Sequence, residues 1–114
     1  MTLLEEELGK ELLSIYDECR PHYPTQFRRM LTSSNPQFYR GPIGTVHYLL
    51  TRPAAGPLST FERLLKAGML TCTVEWLIAN NPKWHPLFKS WPWLVAEAEA
   101  RIRGAQQFNH TRSA

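Results

Sequence analysis

Metal-binding chemistry in this chain would start from Cys19-Arg20-Pro21-His22, a C-x-x-H spacing that suits two ligands of a zinc ion. A structural zinc takes four ligands, so Cys72 and His85 would have to complete the set. Those two belong to no second close pair, and Cys72 falls in a stretch that reads as an apolar helix. No metal is expected. A cysteine nucleophile fares no better, because it needs a thiolate, a base in hydrogen-bond reach and a third group to orient that base. Nothing in the spacing brings Cys19 or Cys72 to His47 or His85. Gly41-Pro42-Ile43-Gly44 could offer backbone donors to an anion, but it lacks the lysine and spacing of a phosphate loop, and a helix start accounts for it. Glu97 and Glu99 stand two apart, off a common helical face, and read as solvated residues. No catalytic residue and no cofactor follow, so the chain is not expected to be an enzyme.

Two other residue types are left to carry function. Residues 1–19 hold Lys10 against Glu5, Glu6, Glu7, Glu11, Asp17 and Glu18. Residues 20–66 reverse that balance, with Arg20, Arg28, Arg29, Arg40, Arg52, Arg63 and Lys66 against Glu62 alone. Arginine's planar fork suits phosphate or carboxylate, and His22, Tyr23, Tyr39 and His47 lie among these cations, where they could stack on bases. The opposing expectation is that the acidic first segment packs on the basic one and cancels it. No recognition-helix signature is present, because the gap between the third and fourth helices is too long for a helix-turn-helix turn. Trp76, Trp84, Trp91 and Trp93 crowd one region. Trp91 and Trp93 flank a helix start and cannot easily both face inward. They suggest an aromatic patch for a protein partner, where tryptophan and arginine often dominate the energetics.

The elements that must position these residues read as helices. Leu4, Leu8, Leu12, Ile15, Tyr16 and Cys19 recur at three- and four-residue spacing, and Thr2 with Glu5 makes a capping box. Pro21 and Pro24 stop that helix. A second helix begins near Thr25 with Phe27, Met30 and Leu31 inward. Thr32-Ser33-Ser34-Asn35-Pro36 is a turn, and Gln37 to Arg40 a connector. A third helix runs from Gly41 or Pro42 to Thr51 with Ile43, Val46, Leu49 and Leu50 buried. After the Arg52–Pro57 loop, Ser59 and Glu62 form another capping box for a helix carrying Phe61, Leu64 and Leu65, closed by Gly68. Thr71 is placed to cap a fifth helix with Val74, Leu77 and Ile78 inward. Met69 to Trp76 is also the stretch nearest to a strand. Pro86 starts a short turn. Pro92 opens the last helix, whose stripe is Trp91, Leu94, Val95, Ala98 and Ile102, and Gly104 marks its end.

The expected fold is therefore all-α, a compact bundle of five to seven short helices over residues 1–104 with a frayed polar tail at 105–114. The 114 residues suffice for one domain. With 43% hydrophobic and 20% charged residues the composition is ordinarily globular, and the net charge of +3 is mildly basic. The two cysteines are too few for a disulfide scaffold and read as reduced thiols, although a Cys19–Cys72 bridge is geometrically possible. Glu5-Glu6-Glu7 interrupts any secretory leader in the opening segment, and no stretch is long and apolar enough to span a membrane. A cytoplasmic location is expected.

Thr73-Val74-Glu75-Trp76-Leu77-Ile78, then Asn81-Pro82-Lys83-Trp84 and Leu87-Phe88, is similar to a pattern in small, poorly characterised helical modules of bacterial proteins. Upstream, Tyr23-Pro24-Thr25-Gln26-Phe27 and Met30 resemble that family's Arg-Phe and Met helix. Gly44 and Leu49-Leu50 resemble its next helix, and Phe61, Leu64 and Gly68 the one after. The resemblance spans Tyr16 to Arg103. It departs at Thr71-Cys72, where the family has an aspartate before a Leu-Thr pair, and at Ser90-Trp91-Pro92-Trp93, which replaces a polar helix start. It implies a helical fold and a mobile-element or defence setting, alone or beside nuclease-like proteins, and brings no catalytic residues. The combined expectation is a non-enzymatic protein-interaction module, accessory or regulatory in role. Trp91 and Trp93 would be its anchor, and Arg28, Arg29, Arg40 and Arg52 its charged contacts. A nucleic-acid-binding module using the same arginines is the alternative.

Overall fold

The computed structural model describes residues 2–23, 26–32, 41–56 and 59–113, with side chains to position 106. Six α-helices follow in order: α1 (Leu3–Glu18), α2 (Phe27–Thr32), α3 (Gly41–Thr51), α4 (Thr60–Lys66), α5 (Val74–Asn80) and α6 (Pro92–Ser113). Short 3₁₀ segments at Arg20–His22, Leu70–Cys72 and Pro82–Phe88 connect them. No strand occurs among the described residues, and the fold is an all-α bundle as the periodicity predicts. The turn expected at 33–36 and the 37–40 connector lie outside the described residues.

Local chemistry sets the helix ends. Thr2 Oγ1 accepts the Glu5 N–H at 3.1 Å, and Ser59 Oγ accepts that of Glu62 at 3.1 Å, so both predicted caps form. At the end of α4, Gly68 takes φ +74°. Its N–H reaches Leu65 O at 3.1 Å, while Met69 N–H reaches Leu64 O at 2.8 Å, the paired bonds of a Schellman close. The cap of α5 is Thr73 rather than Thr71: its Oγ1 accepts from Trp76 N–H at 3.0 Å. The helix therefore starts two residues later than its spacing suggests, and Cys72 sits in a 3₁₀ turn, not in an apolar helix. Gly104 does not end the last helix. It lies mid-helix, and Ala105 beyond it is buried against the cluster of Phe61 and Ile102, so packing outweighs glycine's weak helix propensity.

α5 packs along α6, and α1 packs on α2 and α3. A Cβ at Gly9 would come 3.0 Å from Pro42 Cγ, which marks how closely α1 and the start of α3 approach. Leu8, Leu12 and Tyr16 of α1 meet Phe27 and Leu31 of α2, Val46 and Leu50 of α3, Val74, Leu77 and Ile78 of α5, and Leu94 and Ala98 of α6. Trp84 and Phe88, from the 3₁₀ segment before α6, complete this core. Each such large apolar side chain contributes about 1.5–3 kcal/mol by leaving water. Tyr16, Tyr23 and Phe27 form an aromatic knot, with Tyr16 and Phe27 stacked at 5.4 Å and Tyr23 tilted on Phe27 at 4.7 Å. No helix among the described residues is long and apolar enough to cross a membrane.

Candidate interaction surface

The four tryptophans divide by burial. Trp84 is 1% exposed, and Trp76 packs half-buried beside Phe61. Trp91 and Trp93 are 39% and 46% exposed, and with Leu3 they are the exposed large hydrophobics among the described residues. The cause is local. Pro92 starts α6, and the inward stripe begins two residues later at Leu94, continuing through Ala98 and Ile102. Trp91, counted in that stripe by spacing, is left at the surface because it precedes the first helical turn. Both indoles stand edge-on to His47 of α3, with ring centroids 5.6 Å away in each case. The patch therefore draws on two helices and holds three aromatic rings in fixed mutual geometry.

The arginines are more dispersed. Arg28 and Arg29 are exposed on α2, which has a single buried stripe of Phe27 and Leu31. Arg52 follows α3 with its guanidinium 5.2 Å above the Tyr48 ring. Arg40 lies outside the described residues. Among the described residues no ion pair ties α1 to Arg28, Arg29 or Arg52; the pair that α1 makes with the basic section is Asp17–Arg20 at 3.1 Å, a local one. Arg28 and Arg29 are on a different helix from the tryptophan patch, whereas Arg52 directly follows α3, the helix that carries His47.

Arg101 and Glu75 form a charged node that the composition did not reveal. Arg101 is only 6% exposed. Its Nη1 donates to Glu75 Oε2 at 2.8 Å, and its Nε donates to Glu97 Oε2 at 2.7 Å. Its Nη2 donates to the carbonyls of Leu50 at 3.2 Å and Arg52 at 2.6 Å. Leu50 O is among the last carbonyls of α3 and Arg52 O lies just past its end, so one guanidinium caps α3 and ties it to α5 and α6. Glu97 is thus a partner rather than a merely solvated residue. Burial pushes the Glu75 carboxyl above its ordinary range despite Arg101 beside it. The signal was present in the sequence: Glu75 is an acid within the most apolar stretch, and such a buried charge needs a cation.

Glu75 and Arg101 line a cleft of about 290 Å³, with Arg52 and Tyr48 among its other residues. Tyr23 lines it too and donates from its hydroxyl to Cys72 O at 2.6 Å. Burial pushes the Tyr23 phenol well above its usual range, which keeps that donor protonated. Among the described residues nothing in this arrangement pairs a nucleophile with a base. His85 contacts Ile78 O at 2.8 Å through Nε2 and does not join the cysteines. Cys19 and Cys72, remote in sequence, do meet: their sulfurs and a Glu18 carboxylate oxygen all lie within 4.8 Å of one another. Both thiols are free, and burial together with the Cys72 side chain pushes Cys19 up to about 12.

The molecule is in class an all-α bundle with an aromatic surface patch and a buried charged node. Compared with known protein families, curated proteins and solved structures, the chain matches none of them.

Proposed function

We propose that this chain is a non-catalytic helical interaction module, accessory or regulatory in role, that binds an acidic protein surface through an aromatic anchor. The observation that supports this reading best is the Trp91–His47–Trp93 patch, two large side chains left in water by a bundle that buries Trp84. Tryptophan at a surface contributes large contact area at little conformational cost, and tryptophan with arginine recurs among residues that dominate binding. Arg28, Arg29 and Arg52 supply the positive field that favours an acidic partner. The bacterial mobile-element or defence setting rests on the resemblance carried by Thr73–Ile78 and Pro82–Phe88.

The experiment is affinity purification of the tagged full chain from its host, with and without nuclease, beside the W91A/W93A variant. A protein that survives nuclease and is lost with W91A/W93A supports the anchor. Recovery unchanged by W91A/W93A refutes it. A second reading, phosphate binding by the same arginines, is favoured because no ion pair among the described residues ties α1 to Arg28 or Arg29. It requires recovered DNA or RNA, nuclease-sensitive partners and an affinity that falls steeply with salt.

A further inference from the structure

We propose that Glu18, Cys19 and Cys72 form a binding site for a thiophilic divalent cation of the zinc class, with water in the fourth position. The three ligand atoms converge within 4.8 Å of one another. Tetrahedral zinc, with bonds of about 2.3 Å to sulfur and 2.0 Å to oxygen, holds such atoms roughly 3.5–3.8 Å apart. The approach needed is on the order of 1 Å, within reach of rotation at exposed Glu18 and half-buried Cys72.

Both thiol-bearing backbones are fixed without an ion. Cys19 ends α1 with its N–H on Ile15 O at 2.9 Å, and its carbonyl accepts from His22 N–H at 3.0 Å. Cys72 ends its 3₁₀ turn with N–H on Met69 O at 2.9 Å, and its carbonyl accepts the 2.6 Å bond from Tyr23. Exposed Glu18 leaves a path from solvent. Two sulfurs with one carboxylate select zinc-class ions over magnesium or calcium, which take oxygen ligands. Binding releases the two thiol protons and leaves a site of net charge −1, from a dication, two thiolates and one carboxylate. The ion would clamp the end of α1 to the segment entering α5. His85 takes no part, and the ring of His22 is not in the cluster among the described residues.

Cobalt(II) serves as the spectroscopic probe, added to the full chain under argon after both thiols titrate as free. The expected result is a near-ultraviolet thiolate-to-cobalt band that saturates at one equivalent and is displaced by one equivalent of zinc. C72S should lose the band while keeping its helical circular dichroism. E18Q should bind cobalt on the order of tenfold more weakly or worse, since even outer partners of metal ligands have effects of that size. No band at stoichiometric cobalt, or a band unchanged in C72S, overturns the site. Should C72S lose helicity, E18Q decides, because unchanged cobalt affinity there refutes the three-ligand arrangement.

Discussion

Arg101→Met is the sharpest perturbation this fold offers. Methionine keeps most of the side-chain volume and removes the guanidinium that is bonded to Glu75, Glu97 and the carbonyls of Leu50 and Arg52. Glu75 then remains buried without a counter-charge. Breaking a buried pair from one side costs about 3–5 kcal/mol, a large share of the 5–15 kcal/mol typical of a whole domain. With a urea dependence of about 1.5 kcal/mol/M, the unfolding midpoint should fall by roughly 2–3 M. Removing both charges in R101M/E75L should restore most of that loss, because no charge is then left unpaired.

The pH dependence has a definite sign. Burial already holds the folded Glu75 carboxyl above its ordinary 4.5, and loss of Arg101 raises it further. Between the ordinary value and the raised one, the folded chain keeps a proton that the unfolded chain has released. Stability therefore falls as pH rises through that window, and the window is wider in R101M than in wild type. The cost of R101M should grow from pH 5 to pH 8, and R101M/E75L should show no such growth relative to E75L alone. Urea titrations of the four proteins at both pH values measure this. A cost below about 1 kcal/mol for R101M, or strict additivity in the double variant, would refute the view that Arg101 compensates Glu75.

Two smaller perturbations test neighbouring parts of the fold. Tyr23→Phe removes the 2.6 Å donor to the Cys72 carbonyl and should cost about 1–3 kcal/mol in urea unfolding, with the helical spectrum retained. Gly68→Ala meets open space but must hold φ at +74°, so it should cost about 1 kcal/mol from backbone conformation alone, read as a lower midpoint at unchanged m-value.

The elements were legible wherever a short-range rule decides them. Thr2 and Ser59 cap as their spacing to Glu5 and Glu62 predicts, and Gly68 closes α4. Boundaries set by tertiary packing were not. Thr73 rather than Thr71 caps α5 because the chain first turns through Leu70–Cys72, and α6 passes Gly104 because Ala105 finds a buried place beside Phe61. That Trp91 and Trp93 could not both face inward was readable from their positions around Pro92, but the spacing counted Trp91 in the inward stripe, and the ring between them was not legible, since His47 lies on another helix. The meeting of Cys19 with Cys72 was open in the sequence only as a geometrically possible bridge, because the two lie on separate elements that only the fold brings together.

Charge arithmetic failed at a more instructive point. Reading Glu97 as a solvated acid treats its charge as surface charge. Yet Glu97 and Arg101 are four residues apart, a spacing that places them on one helical face. Only the third partner, Glu75, needed the fold to bring it there. An acid inside an apolar stretch raises the question of which cation neutralises it, and the i,i+4 pair on α6 was the available answer. The consequence for function is direct. Arg101 belongs to the framework and cannot serve a partner, so any anion or acidic protein must be met by the arginines that remain exposed. Of the arginines proposed as contacts, Arg28 and Arg29 on α2 and Arg52, whose own carbonyl helps hold Arg101 in place, are exposed, and Arg20, Arg63 and Arg103 are exposed elsewhere among the described residues. Charge reversal at Arg28 and Arg29 can therefore weaken a charged contact with α2's buried Phe27 and Leu31 left unchanged, whereas reversal at Arg101 tests folding.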